Sequence, residues 1–240
     1  MVDTMTAKRR EELLELAARL GVKFKDLNLL HCALIHSSYA NEAKGKNIVH
    51  NERLEFLGDA VLELASSTYL YMQFPQMPEG QLTKTRAGIV CSTSLAEMAR
   101  TLHLGDYLLL GHGEEMSGGR DRQTNLEDVF EAVIGAIYLD QGWETAQDYV
   151  VRQLMPLFKQ VEQGAILKDY KTILQELVYQ DASQNVSYEL VGTSGPDHDK
   201  IFTFNVLITG KVMGTGTGRS KKDAEQKAAK EALAKIAPTR

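Results

Sequence analysis

Apolar residues recur over the first two thirds of the chain at three- and four-residue spacing, the period of a helix with one face turned inward. Leu13, Leu14, Leu16 and Leu20 set that rhythm near the start, and Gly21 suits its end. The same pattern predicts helices at about 26–36, 51–73, 79–101, 123–138 and 143–161. Between 104 and 122 the glycines Gly105, Gly111, Gly113, Gly118 and Gly119 predict a loop region. After Gly164 the period changes. A helix at about 170–181 precedes three β-like runs, 186–191, 201–209 and 211–218, and a second helix runs from 221 to about 237. Thr209-Gly210, between two alternating runs, predicts a tight hairpin turn. The expected fold class is therefore mainly α: an all-helical domain at 1–163, a short linker at 164–168 pivoting on Gly164, and a small α+β domain of order α-β-β-β-α at 169–238.

Composition narrows the class without changing that outline. With 240 residues, 43% hydrophobic and 25% charged, the chain has room for two modest domains with real cores. No apolar run approaches the roughly 20 residues that span a bilayer. The opening stretch is a charged amphipathic helix rather than a secretory signal. Cys32 and Cys91 supply neither a disulfide framework nor a zinc site. A cytoplasmic protein with no membrane partner is expected. The net charge of −5 argues against a nucleic-acid binder, but its distribution does not. Residues 166–240 hold 11 Lys/Arg against 9 Asp/Glu, leaving 16 against 23 for residues 1–165. An acidic body carries a mildly basic tail.

Chemistry concentrates in the helix 51–73. At about 100° per residue, Glu52, Glu55 and Asp59 fall within roughly 60° of one another, while Leu54, Leu57, Val61 and Leu64 gather on the other side. A solvated acidic face and a ligand row both fit that spacing. A second pair, Asp128 and Glu131, opens a run that is otherwise apolar or small, so these acids stand at the rim of a buried helix. Gly135, one turn beyond Glu131, permits close approach of another helix. Uncompensated carboxylates at such a contact are costly, and a hard divalent cation removes the cost. Oxygen-only donors favour magnesium or manganese over zinc.

In the tail, Ser220 is placed to cap the last helix, with Asp223 in capping-box position. Lys221 and Lys222 sit in its first turn, where cations oppose the helix dipole unless an anion docks there. Ala224, Ala228, Ala229, Ala232 and Leu233 form an inward stripe suited to lying flat on a sheet. Gly214, Gly216 and Gly218 lack the Gly-Lys-Thr/Ser ending of a phosphate-binding loop.

The run His50-Asn51-Glu52-Arg53-Leu54-Glu55-Phe56-Leu57-Gly58-Asp59 closely resembles the signature of the ribonuclease III family. Asp128-x-x-Glu131 before its apolar run resembles that family's second acidic motif, and Pro78-Glu79-Gly80 through Lys84 its intermediate segment. Gly214 to Gln226, within the α-β-β-β-α order, resembles a double-stranded RNA-binding domain. The resemblance spans essentially the whole chain. It implies a divalent-metal-dependent homodimeric endoribonuclease that cuts both strands of double-stranded RNA, leaving 5′-phosphates, 3′-hydroxyls and short 3′ overhangs. Precursors of ribosomal RNA and messenger RNAs are the implied targets. Carried over by position, Glu55, Asp59, Asp128 and Glu131 hold Mg2+, with Mn2+ able to substitute, and Asp59 and Glu131 are the catalytic acids. Glu52 and Glu79 are auxiliary acids, and Phe56 is a dimer contact. Gln175, Glu176, His198, Lys221 and Lys222 are RNA contacts. Glu63 is expected as solvated surface, and His36, in a His-x-Ser element, as a cap or core residue. A catalytically silent RNA-binding scaffold is the competing function, and a diiron carboxylate protein a third; the latter needs Glu-x-x-His pairs, which do not accompany these acids.

Overall fold

A computed structural model describes residues 5–43, 48–162, 170–181, 183–196 and 200–236, with the backbone alone at Glu176. The chain divides into two compact units, Met1–Leu167 and Lys168–Arg240. The expected pivot Gly164 and the expected RNA contact His198 lie outside the described residues.

The first unit is helical. Its elements are α1 (Ala7–Leu20), α2 (Leu27–Ala33), α3 (Ser37–Glu42), α4 (Glu52–Gln73), α5 (Glu79–Ile89), α6 (Ser92–Thr101), the short α7 (Leu104–Tyr107) and α8 (His112–Met116), α9 (Gln123–Gln141) and α10 (Trp143–Glu162). Thr6 caps α1 by accepting the Arg9 amide, and Gly21 ends it at φ 69°. Leu13, Leu16 and Leu20 are buried, whereas Leu14 faces solvent. α9 is the central helix, buried continuously from Ala132 to Ile137 and packed on α2, α4, α6 and α10.

Two expected helices prove to be broken, one within its own segment and one by a distant contact. The run at 79–101 divides at Val90-Cys91, where Cys91 turns extended (ψ 153°) ahead of Ser92, Thr93 and Ser94, residues of modest helix propensity. The run at 26–36 divides because Ile35 forms a parallel bridge to Leu109. His36 then caps α3, its ring nitrogen accepting the Ser38 amide at 3.2 Å. The glycine-rich stretch 104–122 is more ordered than a plain loop. Besides α7 and α8 it holds a 3-10 turn, Gly119–Asp121, and Arg120 donates to the carbonyls of Gly105 and Leu108.

The second unit comprises α11 (Tyr170–Val178), β1 (Val186–Ser194), β2 (Ile201–Ile208), β3 (Lys211–Gly218) and α12 (Lys221–Ile236). The strands form an antiparallel sheet in the order β1-β2-β3, with an irregularity between Leu190 and Gly192. Thr209 and Gly210 both take positive φ, 47° and 77°, as a two-residue hairpin of the primed type requires. The glycines of β3 serve packing. A Cβ on Gly214 would stand 2.3 Å from the Ala228 carbonyl oxygen, and one on Gly216 2.2 Å from that of Ala224. The alanine face of α12 thus lies directly on the sheet.

The decisive contact of the first unit is of the same kind. A Cβ on Gly58 would stand 1.8 Å from the Glu131 carbonyl oxygen, and one on Gly135 2.2 Å from that of Leu54. Neither backbone atom can yield as a flexible side chain could. Gly135→Ala is therefore expected to destabilise the first unit by about 3 kcal/mol or more. Gly80→Ala, in open space on α5, is expected to be neutral or to stabilise by up to about 1 kcal/mol. Urea denaturation of both variants, followed by helical circular dichroism, measures the contrast.

Candidate functional site

The Gly58–Gly135 crossing brings the two acidic helices together at their carboxylates. On α4, Glu55 and Asp59 flank Gly58; on α9, Asp128 and Glu131 precede Gly135 by two turns and one turn. Glu131 and Asp128 are partly buried at the crossing, as is Glu55, while Asp59 and Glu52 are exposed. Among the described residues none of the four central acids has a hydrogen-bond or ion-pair partner. Glu52 has the His50 ring nitrogen at 3.8 Å.

Burial and mutual repulsion both act on this group. Burial, then the charges of Asp59, Glu127, Glu55 and Asp128, pushes Glu131 up to about 8. Burial, then Asp128, Glu52, Glu127 and Asp59, pushes Glu55 up to about 7. Asp128 is raised to about 6, by burial first and then by Glu127 and Glu52. These acids therefore form one electrostatic cluster. Among the described residues no three side chains converge closely enough to form a ready metal cage. A donor set of carboxylate oxygens alone, partly desolvated and unpaired, fits a hard divalent cation.

Several residues differ from expectation. Glu63, expected as solvated surface, is half-buried and paired with Arg86 at 2.9 Å. Leu64, expected in the core, is 55% exposed, because it lies roughly 140° round the helix from the middle of the buried face. It falls instead on the side of Phe56, which is 80% exposed, and of Tyr71, 69% exposed. Together with Ala60 these residues make an uncovered apolar stripe along α4. Glu79 begins α5 and accepts from Thr83 at 3.0 Å. It is not among the charges acting on Glu55, Asp128 or Glu131.

Two participants carry no assignment from sequence. Glu127 bears on all three raised acids, and its adjacency to Asp128 was the available signal. Asn125 is buried and donates to Glu114 at 2.7 Å and to the Gly119 carbonyl at 3.0 Å. Glu114 also receives Arg122, and both bonds hold its carboxyl below the usual range. This network fixes the start of α9 one turn before Asp128, and nothing in the spacing announces it.

In the second unit Ser220 Oγ accepts the Asp223 amide at 3.1 Å, as a helix cap does. The expected capping box is not closed from the other side: Asp223 pairs with Lys227 at 2.8 Å. Lys221 and Lys222 are exposed at the start of α12, and Gln175 is half-buried on α11. The side chain of Glu176, like all of His198, is not described.

Comparison with known proteins gives a consistent result. Residues 26–157 match a family model described as ribonuclease-III-like, and residues 170–236 match the double-stranded RNA binding motif. The chain is 53% identical over 226 residues to ribonuclease 3 of Pelotomaculum thermopropionicum, covering 94% of each chain. It is 48% identical over 232 residues to ribonuclease 3 of Halalkalibacterium halodurans, covering 96% of this chain and 87% of that one. Among solved structures, the nuclease domain of ribonuclease III from Campylobacter jejuni aligns with a TM-score of 0.56 at 43% identity. That alignment covers 60% of this chain and 97% of the other, and structural flexibility in a region involved in dimer formation is described for that protein.

A carboxyl whose folded pKa is raised stabilises the fold at low pH, and that contribution is lost as pH rises through the raised value. With Asp128, Glu55 and Glu131 at about 6, 7 and 8, the metal-free protein should lose thermal stability from about pH 4 to about pH 8. Glu131→Gln should flatten the upper part of that decline. Thermal unfolding in chelator across the range provides the measurement; a steeper decline in the variant than in the parent contradicts the arrangement.

Proposed function

The chain belongs to the ribonuclease III family, and from that premise we propose that it is a cytoplasmic homodimer cleaving both strands of double-stranded RNA by divalent-metal-dependent hydrolysis. The observation that carries this reading is the cluster of partly buried, unpaired carboxylates at the Gly58–Gly135 crossing. An acidic cluster of that kind repels RNA by itself, so it makes sense only with a cation.

Glu55, Asp59, Asp128 and Glu131 would hold that cation: Mg2+, with Mn2+ able to substitute. When bound, it supplies Lewis acidity at a phosphodiester and makes water a competent nucleophile near neutral pH. The chain's own residues prepare the place. Leu54 and the apolar run after Glu131 exclude solvent from one side. Glu131, raised to about 8, keeps its proton at neutral pH without a cation and yields it as one binds, so affinity rises with pH. Asp59 and Glu131 stand on opposite helices and act on each other across the crossing, which suits them as the catalytic acids. Hydrolysis adds the water oxygen to phosphorus and breaks the bond to the 3′ oxygen, leaving a 5′-phosphate and a 3′-hydroxyl.

Glu52 and Glu79 are auxiliary acids in this proposal. The exposed stripe of Phe56, Ala60, Leu64 and Tyr71 supports pairing with a second copy, with Phe56 at the contact. Two sites then act on two strands and leave short 3′ overhangs. Lys221 and Lys222, with Gln175, Glu176 and His198, supply affinity for the duplex, read by shape across its minor grooves. Precursors of ribosomal RNA and messenger RNAs are the proposed targets. Cys32 and Cys91 are free thiols, and among the described residues no helix is long and apolar enough to cross a membrane.

Purified protein incubated with a long RNA duplex should shorten it with magnesium and leave it intact with chelator. Binding without cleavage in magnesium favours the silent-scaffold reading instead. Glu131→Gln should lower cleavage by about a thousandfold or more while duplex affinity stays within about twofold. Lys221→Ala with Lys222→Ala should weaken binding and reduce the slope of log affinity against log salt by about one for each phosphate left without its lysine. An unchanged slope in gel-shift titrations removes these lysines from the phosphates.

A further inference from the structure

Glu79, Thr83 and Arg86 follow one another at successive turns along one face of α5. The far end of that face is tied down. Arg86 donates from Nε to the Glu63 carboxylate at 2.9 Å and from a terminal nitrogen to Ser67 Oγ at 2.9 Å. The Ser67 hydroxyl in turn donates to the Glu63 carbonyl at 2.6 Å. Glu63 lies one turn beyond Asp59 on α4, so the link starts at the end of the acid row. A guanidinium is planar and grips both partners at once, so it fixes rotation as well as distance.

Apolar packing holds the inner face of α5: Thr85 and Ile89 are buried, and Leu82 is partly buried against the core. The first turn, from Glu79 to Gln81, is exposed, and Gly80 meets nothing within 4 Å. A cleft of about 170 Å3, bordered by Ser67, Tyr71, Glu79 and Arg86, separates this end of α5 from α4. At this end of α5 the Leu82 contact sets the depth of the helix, and the Arg86 link adds a constraint on its rotation.

We propose that Arg86 is a positioning residue for cleavage. Held by Glu63 and Ser67, it sets the rotation of α5 about its axis and so where Glu79 stands against bound duplex. Arg86 acts through Glu79 and not on the reacting phosphate. This assignment rests on reading the chain as a duplex-cleaving enzyme.

The test is a double-mutant cycle in kcat on a defined RNA duplex at saturating magnesium, with duplex affinity measured separately by gel shift in chelator. Arg86→Ala, Glu63→Gln and Glu79→Gln should each lower kcat by about tenfold or more, with KM and affinity within about twofold. Arg86→Lys should recover part of the loss, because it restores the charge and not the planar grip. The double variant Glu79→Gln with Arg86→Ala should be no slower than the slower single variant, since both disturb one element. Glu63→Gln, which keeps its size, carries the test where Arg86→Ala does not fold. Losses that multiply in the double variant overturn the assignment, as does an unchanged kcat in Glu63→Gln or Glu79→Gln. Weakened duplex affinity with kcat intact shows instead that Arg86 contacts RNA directly. A parent protein that cleaves no duplex defeats the functional reading, a result none of the variants can mimic.

Discussion

Everything in the first unit turns on one contact: the backbones of α4 and α9 touch at Gly58 and Gly135, each glycine occupying space beside a carbonyl of the other helix. Side-chain packing sets helix separations of about 8–10 Å with some tolerance. Backbone contact has far less. Because Glu55 and Asp59 flank one glycine, and Asp128 and Glu131 lead to the other, this fixed separation becomes a fixed separation of carboxylates. α9 is the most deeply buried helix, so half of the site is built on the part of the unit least able to move. A functional constellation gains from being held by elements rather than loops.

The second unit solves a related problem with the same residue types. Glycines in β3 and alanines in α12 bring a helix flat onto a sheet. There Ala224 is buried against the sheet, while Lys221 and Lys222 of the same turn stay exposed. One close contact concentrates negative charge and the other displays positive charge. This accounts for a chain whose net charge of −5 says little about its partner. Each unit fulfils its electrostatic role by itself.

Sequence periodicity revealed the elements whose own pattern is strong. The bounds of α4, α9, α10 and α12 lie close to those expected from apolar spacing, and the Thr209-Gly210 turn follows from its two residues. What remained hidden depends on other parts of the chain. The break after Ala33 comes from a bridge to Leu109, and a single bridge has no period. A helical wheel places Glu63 near the other acids but cannot show that Arg86 of the next helix meets it. Leu64 looked like core because it repeats after Leu57, yet Leu57 is itself at the edge of the buried face. The acids were legible by type and spacing, since both helices write them at one-turn intervals. Their unequal burial was not, because it is set by the depth of the crossing.

The arginines near this cluster complete the picture by where they are committed. Arg86 is paired with Glu63, one turn past Asp59. Arg122 is paired with Glu114 and Arg120 with Glu115, both just ahead of α9. Each of the three pairs with a carboxylate outside the four central acids. A guanidinium paired with Asp128 would lower its pKa, whereas it is raised. Glu55, Asp128 and Glu131 relieve their repulsion by holding protons to higher pH than free carboxyls do. Folding stability and pH are thereby linked at the crossing, because the burial and repulsion that raise these carboxyls also weaken the fold once they ionise.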